Sequence, residues 1–140
     1  MSKVAVVYWS STGNTEAMAN AVADGAKEAG AEVTVFETAD FSAEKVDEFD
    51  AIAFGCPAMG AEVLEEDEFD PMFTSCESKL SGKKIALFGS YGWGDGEWMA
   101  DWESRCKDDG AVLAADCVIC QEEPDDEAVD KCKALGRALA

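Results

Sequence analysis

The sequence predicts an α/β fold in which helices cover both faces of a single parallel β-sheet. Three observations support this prediction. Apolar runs rich in β-branched residues alternate five times with amphipathic helical segments. Gly30, Gly82 and Gly110 each lie between a helical segment and the next apolar run, where a glycine commonly ends a helix. The length of 140 residues suits one domain that spans residues 1–140. Strands and helices in alternation indicate parallel strands joined by right-handed crossovers.

Each predicted strand is a short apolar run, and each predicted helix repeats its apolar residues with a helical period. The first strand is expected at residues 4–9, and the helix that follows it at residues 15–29. The remaining strands are expected at residues 32–37, 51–55, 84–90 and 111–119, the last of them broken near Asp116. The remaining helices are expected at residues 43–49, 70–79, 95–109 and 125–139.

The chain is strongly acidic, with 30 acidic residues against 11 basic ones and a formal net charge of −19. Nucleic acids and anionic membrane surfaces would be repelled by such a protein. The charge could serve solubility alone, or it could steer the protein toward basic partner proteins. The chain contains no histidine, which excludes histidine-based hydrolytic triads and zinc sites. No apolar run approaches the ~20 residues that a membrane-spanning helix needs.

Six cysteines without a secretory signal are typical of reduced thiols in a cytoplasmic protein. The strand pattern begins at the third residue, so we expect no signal peptide. Cys117 and Cys120 have the spacing of a redox motif, but they lie in a late apolar stretch rather than at the start of a helix. We therefore interpret them as strand residues and predict neither redox nor metal chemistry for them.

The loop at residues 10–15 (SSTGNT) joins the first strand to the first helix. The N–H groups of a helix's first turn lack intrahelical partners, and the helix dipole makes that end positive. Hydroxyl and amide side chains add donors to this loop, whereas Lys and Arg are absent from it. An ordinary helix N-cap needs only one such side chain. We therefore favour a site that retains a cofactor phosphate through neutral donors.

Two further loops follow strands and should reach the same edge of the sheet, at residues 56–64 and 91–96. Trp93 stands between glycines, which let the backbone approach a planar ligand closely. Met59, beside Gly60, offers a soft apolar surface for the other face of a ring. The three loops together predict a site for a phosphorylated flat heterocycle.

With these loops, the chain resembles a short-chain flavodoxin along its whole length. The resemblance rests on residues 10–15, on residues 58–66 (AMGAEVLEE) and on residues 89–96 (GSYGWGDG). It implies a doubly wound sheet of strand order 2-1-3-4-5, with noncovalent FMN at the point where the strand order reverses. It also implies a monomeric electron-transfer protein, not an enzyme, that moves single electrons between redox proteins. The expected partners are flavin or iron–sulfur reductases and acceptors with basic patches.

Position by position, the resemblance divides the loops between the phosphate and the sugar chain of FMN. Residues that would line the ribityl path through their backbones are Pro57, Ala58 and Ser90. Residues that would hold the phosphate are Ser10, Ser11, Thr12, Gly13, Asn14 and Thr15.

The same comparison assigns the groups around the flavin ring. Met59 would cover one face, and Trp93 would stack on the other. Glu62 would accept a hydrogen bond from N3–H, and the carbonyl of Gly60 would address N5 after reduction. The backbone N–H groups of a turn would face the pyrimidine edge of the ring, and this turn consists of Gly92, Trp93, Gly94 and Asp95. Tyr91 directly precedes the turn.

Two positions depart from the family's pattern. Ser11 stands where the phosphate loop commonly has glycine, which is tolerable if φ there is negative. Ala61 stands where glycine or a polar residue is more usual. A turn that flips the Gly60–Ala61 peptide on reduction needs positive φ at Ala61, and this costs a residue with a Cβ about 1 kcal/mol. We therefore expect Ala61 to disfavour the flipped turn.

The remaining aromatic and acidic residues have ordinary structural interpretations. Trp98 and Trp102 lie four residues apart on a helix and should pack against the sheet. Tyr8 and Trp9 end the first strand and should be structural. The acidic run at residues 65–68 should form a solvated face, with an electrostatic role if it lies beside the flavin.

Other proteins that use a similar fold fit this chain less well. A receiver-type signalling domain needs carboxylates after the first strand and at the end of the third, where this chain has Ser10 and residues 55–56. A low-molecular-weight phosphatase needs a Cys-x5-Arg loop, whereas Cys132 and Arg137 are five apart inside a helix. No Gly-x-Gly-x-x-Gly dinucleotide motif follows a strand. An FMN-dependent NAD(P)H:quinone reductase is the alternative that stays open, although 140 residues leave little room for a second substrate site.

Overall fold

Strands and helices alternate along the chain in the computed structural model, which describes residues 2–10, 13–59, 63–92 and 96–140. The strands are β1 (Lys3–Tyr8), β2 (Glu32–Glu37), β3 (Ala51–Gly55), β4 (Lys84–Tyr91), β5 (Val112–Leu113) and β6 (Val118–Gln121). The helices are α1 (Asn14–Glu28), α2 (Ala43–Val46), α3 (Phe69–Cys76), α4 (Glu97–Asp108) and α5 (Asp126–Leu139). Short 3-10 turns occupy Thr38–Asp40 and Glu77–Lys79.

The sheet has the order β2-β1-β3-β4, with β5 and β6 both pairing with the outer side of β4, and its strands pair in parallel. The predicted strand order is confirmed. The predicted fifth strand consists of two segments, because residues 114–117 (AADC) separate β5 from β6. Alanine and aspartate have low β propensity, which accounts for a gap wider than the expected break at Asp116.

Two apolar clusters cover the sheet, one on each face. Helices α1 and α5 bury one face, while α3 and α4 bury the other. The predicted core positions of Trp98 and Trp102 are confirmed, since each is 2% exposed. Trp102 packs edge-to-face against Phe69 and Phe73 of α3, at centroid distances of 5.4 and 5.6 Å. Among the described residues, no helix is long and apolar enough to cross a membrane.

The predicted second helix ends early. Instead of reaching Phe49, α2 stops at Val46, and the turn that follows brings the Phe49 ring edge-on to Phe36 at a centroid distance of 5.7 Å. The last helix begins where expected because Asp125 caps it, with its carboxylate accepting a hydrogen bond from the Ala128 N–H at 2.8 Å.

All six cysteines are free, as predicted. Burial raises the pKa of the Cys132 thiol to about 12, and burial likewise raises the pKa of Cys120. Cys120 lies in β6 and Cys117 immediately before it, so the pair is not at the start of a helix. Among the described residues, no group of three or more histidine, cysteine or acidic side chains could hold a metal ion.

Helices α1 and α5 approach each other closely through two glycines. A Cβ atom added to Gly136 would overlap the carbonyl oxygen of Val22, and one added to Gly25 would overlap that of Lys133. The backbones of the two helices are therefore in direct contact, and neither glycine position can accept a side chain without moving a helix.

We predict that Gly136→Ala lowers the free energy of unfolding despite the better helix propensity of alanine. Alanine would gain up to about 1 kcal/mol in propensity, but overpacking against a backbone costs roughly 1–3 kcal/mol. Urea denaturation should show the loss. Asp130→Ala, at an exposed position of the same helix, is the control and should leave stability within about 0.5 kcal/mol. A Gly136→Ala protein as stable as the parent would contradict the close contact.

Candidate cofactor site

A cavity of about 510 Å³ opens at the carboxyl edge of the sheet. This edge, at the switch in strand order between β1 and β3, is where parallel α/β sheets bind ligands. The volume lies within the range of small-molecule sites. The cavity is lined by Asn14, Pro57, Ala58, Met59, Ser90, Tyr91, Gly92, Glu122 and Glu123.

The start of α1 forms one end of this site. Gly13 precedes the helix with φ of 93°, a left-handed conformation that favours glycine. Its N–H donates to the Ser10 Oγ at 3.1 Å. Thr15 is buried, and its hydroxyl lies 3.1 Å from the hydroxyl of Ser90 at the end of β4. This hydrogen bond joins the beginning of α1 to the strand that supplies the opposite wall.

Tyr8 has a structural role, as predicted. It is buried at the end of β1, and its hydroxyl donates to the Glu16 carboxylate at 2.7 Å. Burial and this carboxylate raise the pKa of Tyr8 to about 12, so the phenol keeps its proton. The bond ties the end of β1 to the first turn of α1 and so supports the loop between them.

The pairing of β3 with β4 continues beyond the end of β3. The N–H of Cys56 donates to the Phe88 carbonyl at 3.1 Å, and the N–H of Ala58 donates to the Ser90 carbonyl at 3.0 Å. Trp98 adds a third bond, from Nε1 to the Cys56 carbonyl at 3.2 Å. Residues 57–59 are thereby held beside residues 90–92, and both segments line the cavity.

The segment after Met59 is closed by a pair of backbone hydrogen bonds. Met59 N–H donates to the Val63 carbonyl at 2.9 Å, and Val63 N–H donates to the Met59 carbonyl at 3.1 Å. In the sequence, residues 60–62 connect Met59 to Val63. Val63 is 39% exposed, which leaves an apolar side chain at the surface beside the cavity wall.

The prediction of a solvated face for the whole acidic run at residues 65–68 is wrong for Glu65. That side chain is only 6% exposed. Its carboxylate accepts hydrogen bonds from the N–H groups of Asp67, Glu68 and Phe69, at 2.9, 2.7 and 2.8 Å. Burial opposes ionisation, but the three N–H groups outweigh it and hold the pKa of Glu65 below its ordinary value. Glu65 therefore stabilises the approach to α3, whereas residues 66–68 are exposed.

The structure brings together most of the predicted site residues that it describes. Seven of them line the cavity, namely Asn14, Pro57, Ala58, Met59, Ser90, Tyr91 and Gly92. Thr15 is joined to the cavity wall by its hydrogen bond with Ser90, whereas Ser10 and Gly13 bond each other just before α1. The others lie outside the described residues, and they are Ser11, Thr12, Gly60, Glu62, Trp93, Gly94 and Asp95, together with Ala61.

Sequence reasoning missed Glu122 and Glu123, which also line the cavity. A signal was present, because these residues follow β6 directly and so lie at the same carboxyl edge as the other loops. The acidic pair resembled an ordinary solvated turn before Pro124. The site thus has a fourth segment, after the last strand.

Comparison with known proteins identifies the family. The sequence model described as Flavodoxin matches residues 6–136. The chain belongs to the flavodoxin family. It is 48% identical to a flavodoxin of Megasphaera elsdenii over 137 residues, covering 98% of each chain. It is 47% identical to a flavodoxin of Clostridium beijerinckii over 135 residues, covering 96% of this chain and 97% of the other. The solution structure of two-electron reduced Megasphaera elsdenii flavodoxin superposes with a TM-score of 0.90, covering 97% of each chain.

The cofactor of this family is FMN, and its members are electron carriers rather than enzymes. The described residues fit this cofactor. A neutral helix start with hydroxyl groups suits the phosphate, and Met59 with the backbone of residues 90–92 suits an apolar ring. The comparisons do not favour the quinone reductase alternative, because the similar proteins of nearly equal length are flavodoxins.

We predict that Glu65→Gln lowers the free energy of unfolding by about 1–3 kcal/mol, because an amide cannot accept all three N–H bonds of the carboxylate. Glu65 has a depressed pKa in the folded protein. Its contribution is therefore complete above the ordinary value of 4.5 and is lost as the pH falls through the lower folded value.

Urea denaturation from pH 7 down to pH 3 measures both effects. The exposed neighbour Glu66 supplies the control, since Glu66→Gln should leave stability nearly unchanged. The stability difference between the Glu65→Gln protein and the parent should shrink as the solution becomes acidic. A difference that stays constant with pH would show that the carboxylate's charge is not what the three N–H groups stabilise.

Proposed function

We propose that the chain is a cytoplasmic one-electron carrier whose FMN lies in the 510 Å³ cavity, and that it docks redox partners through basic patches on those partners. The start of α1, residues 57–59 and residues 90–92 all line one cavity, and this convergence supports the placement of FMN there. The docking proposal draws on the formal charge of −19 and on the exposed carboxylates of residues 66–68. We further propose that residues 1–140 form one domain that acts as a monomer.

At the phosphate end, this chain supplies neutral donors only. The Thr15 hydroxyl is positioned by Ser90, and the Ser10 hydroxyl is positioned by the Gly13 N–H. We assign the phosphate to residues 10–15, in agreement with the position of Asn14 on the cavity wall. Because no basic side chain belongs to this segment, its affinity for phosphate depends on geometry and on the α1 dipole.

At the ring end, Met59 and Trp93 are the proposed covers of the two flavin faces. Ala58 cannot donate its N–H to a ligand, because that group already bonds the Ser90 carbonyl. From the family resemblance we assign the pyrimidine edge to the N–H groups of residues 92–95, and we assign Glu62 as the acceptor for N3–H. FMN, when bound, supplies the electron-accepting ring, while these residues orient it and exclude water from its faces.

The proposed docking surface consists of Val63 and residues 66–68, which lie in the segment that follows the cavity wall. Val63 is partly exposed and apolar, and the three acidic side chains after it are exposed. An exposed apolar side chain followed by three exposed carboxylates suits a basic partner surface, because charge steers the encounter and apolar burial holds the complex.

We predict that Thr15→Val weakens the binding of FMN by roughly ten- to a hundredfold and weakens the binding of riboflavin much less. Valine keeps the shape of threonine but loses the hydroxyl, and a hydrogen bond to a charged group is worth about 1.5–3 kcal/mol. Fluorescence quenching of each flavin by the apoprotein measures both affinities. Thr34→Val, an exposed change of the same kind on β2, should alter neither. Equal losses of affinity for the two flavins would show that Thr15 does not contribute to the phosphate site.

We predict that neutralising residues 66–68 together slows electron transfer with a basic redox protein several-fold at low ionic strength. The reason is the loss of electrostatic steering, so the difference should vanish as salt shortens the Debye length. Stopped-flow kinetics across a salt series measures it. The control removes the same number of charges at exposed positions elsewhere, Glu32, Glu44 and Glu48. If the control slows the reaction equally, net charge and not this surface governs docking.

A further inference from the structure

Two carboxyl groups meet where the end of α4 packs against the 3-10 turn at Glu77–Lys79. Asp109 is the residue that ends α4, and its carboxyl group lies within hydrogen-bond reach of the Glu77 carboxylate. The Oδ2 atom of Asp109 is buried, and no donor from the described residues reaches it. Because nearly all buried polar atoms in proteins have a hydrogen-bond partner, this buried oxygen requires a specific explanation.

The positive charge beside this pair is engaged by other carboxylates. Arg105 donates to both carboxylate oxygens of Glu77, from Nε at 2.9 Å and from a terminal nitrogen, and it donates to Asp70 at 3.0 Å. Lys79 and Lys83, which follow Glu77 in the sequence, donate to groups on the segment after α2. Arg105 therefore neutralises Glu77 rather than the second carboxyl group of the pair.

Several features of this position oppose a negative charge on Asp109. It lies at the C-terminal end of α4, where the helix dipole is negative, and the carboxylates of Glu77 and Asp108 act on it. Burial and the Glu77 carboxylate raise the pKa of Asp109 to about 6, an effect that Arg105 offsets only in part. Hydrogen bonds from Arg105 hold the pKa of Glu77 below its ordinary value. The nearby Cys106 thiol stays neutral, because burial raises its pKa to about 12.

We propose that Asp109 and Glu77 form a proton-binding site that joins the end of α4 to the 3-10 turn when the protein is mildly acidified. A proton from the solvent adds to the Asp109 carboxylate, and the neutral carboxyl group that results donates its O–H to the Glu77 carboxylate. The pair then carries a single negative charge, which Arg105 neutralises. At higher pH both carboxylates are ionised and repel each other, so the contact between α4 and the turn weakens.

The effect of this site on stability has a definite sign. The pKa of Asp109 is raised in the folded protein, so its stabilising contribution is complete below the ordinary value of 3.8 and is lost as the pH rises through about 6. The pair therefore favours the folded state more at pH 5 than at pH 8. Glu65, whose pKa is lowered, has the opposite dependence on pH.

Carbon-13 NMR of the aspartate carboxyl groups in the FMN-loaded protein tests the site directly. One aspartate of the parent should titrate near pH 6, and this titration should be absent from Asp109→Asn. The control is Asp108→Asn, which removes an exposed charge from the same end of α4 and should keep the titration. Glu77→Gln should move the titration midpoint of Asp109 down toward its ordinary value, because the repelling charge is gone. A parent with no such titration, or one that persists in Asp109→Asn, would overturn the proposal.

Urea denaturation of the same FMN-loaded proteins measures the consequence for folding. Asparagine has the shape of a protonated aspartate and cannot ionise, so Asp109→Asn should raise the urea midpoint above that of the parent at pH 8 and leave it nearly unchanged at pH 5. Asp108→Asn should change the midpoint by the same small amount at both pH values. If Asp108→Asn reproduces the pH dependence of Asp109→Asn, net charge or the helix dipole is responsible, and the proposed proton-binding pair is refuted.

Discussion

The site depends on the continuous pairing of β3 with β4 from Ala51 to Ala58, three residues past the end of β3. Two glycines permit it. A Cβ at Gly55 would overlap the Phe88 ring, and one at Gly89 would overlap the Cys56 carbonyl. That carbonyl already accepts the Trp98 indole N–H. The walls of the cavity are therefore held by backbone hydrogen bonds of the sheet, together with the bond from Trp98.

The carboxyl end of β4 is the point at which the other segments of the site meet. Ser90 bonds the Ala58 N–H through its carbonyl, and its hydroxyl pairs with Thr15 at the start of α1. Tyr91 accepts the Glu122 N–H. Segments that are distant in sequence are thus all hydrogen-bonded to the end of β4. A shift of β4 would therefore move all of them together. This arrangement holds a preorganised site on a rigid element, as tight ligand binding requires.

Periodicity alone was sufficient to predict the parallel α/β sheet and the buried tryptophans, because it reports directly on backbone geometry, whereas the strand order followed from the family resemblance. It was insufficient where a residue's environment depends on distant backbone. Glu65 belongs to an acidic run, and only the local chain path turns three N–H groups toward its carboxylate. Glu122 has a positive φ, although no glycine or asparagine marks this position in the sequence.

The two short strands beside β4 pair with separate parts of it and form the edge of the sheet independently of each other. Strand β5 pairs with Lys84 and Ile85, whereas β6 pairs with residues 88–91, so each is anchored without the other. Of the four residues between them, Ala114 donates its N–H to the Ile85 carbonyl at 2.8 Å, and residues 115–117 belong to no strand. A segment spliced into this gap would leave both ladders and the cofactor edge intact. This position can therefore accommodate an additional subdomain or a reporter peptide, and evolution or protein engineering could lengthen the chain there without redesigning the core.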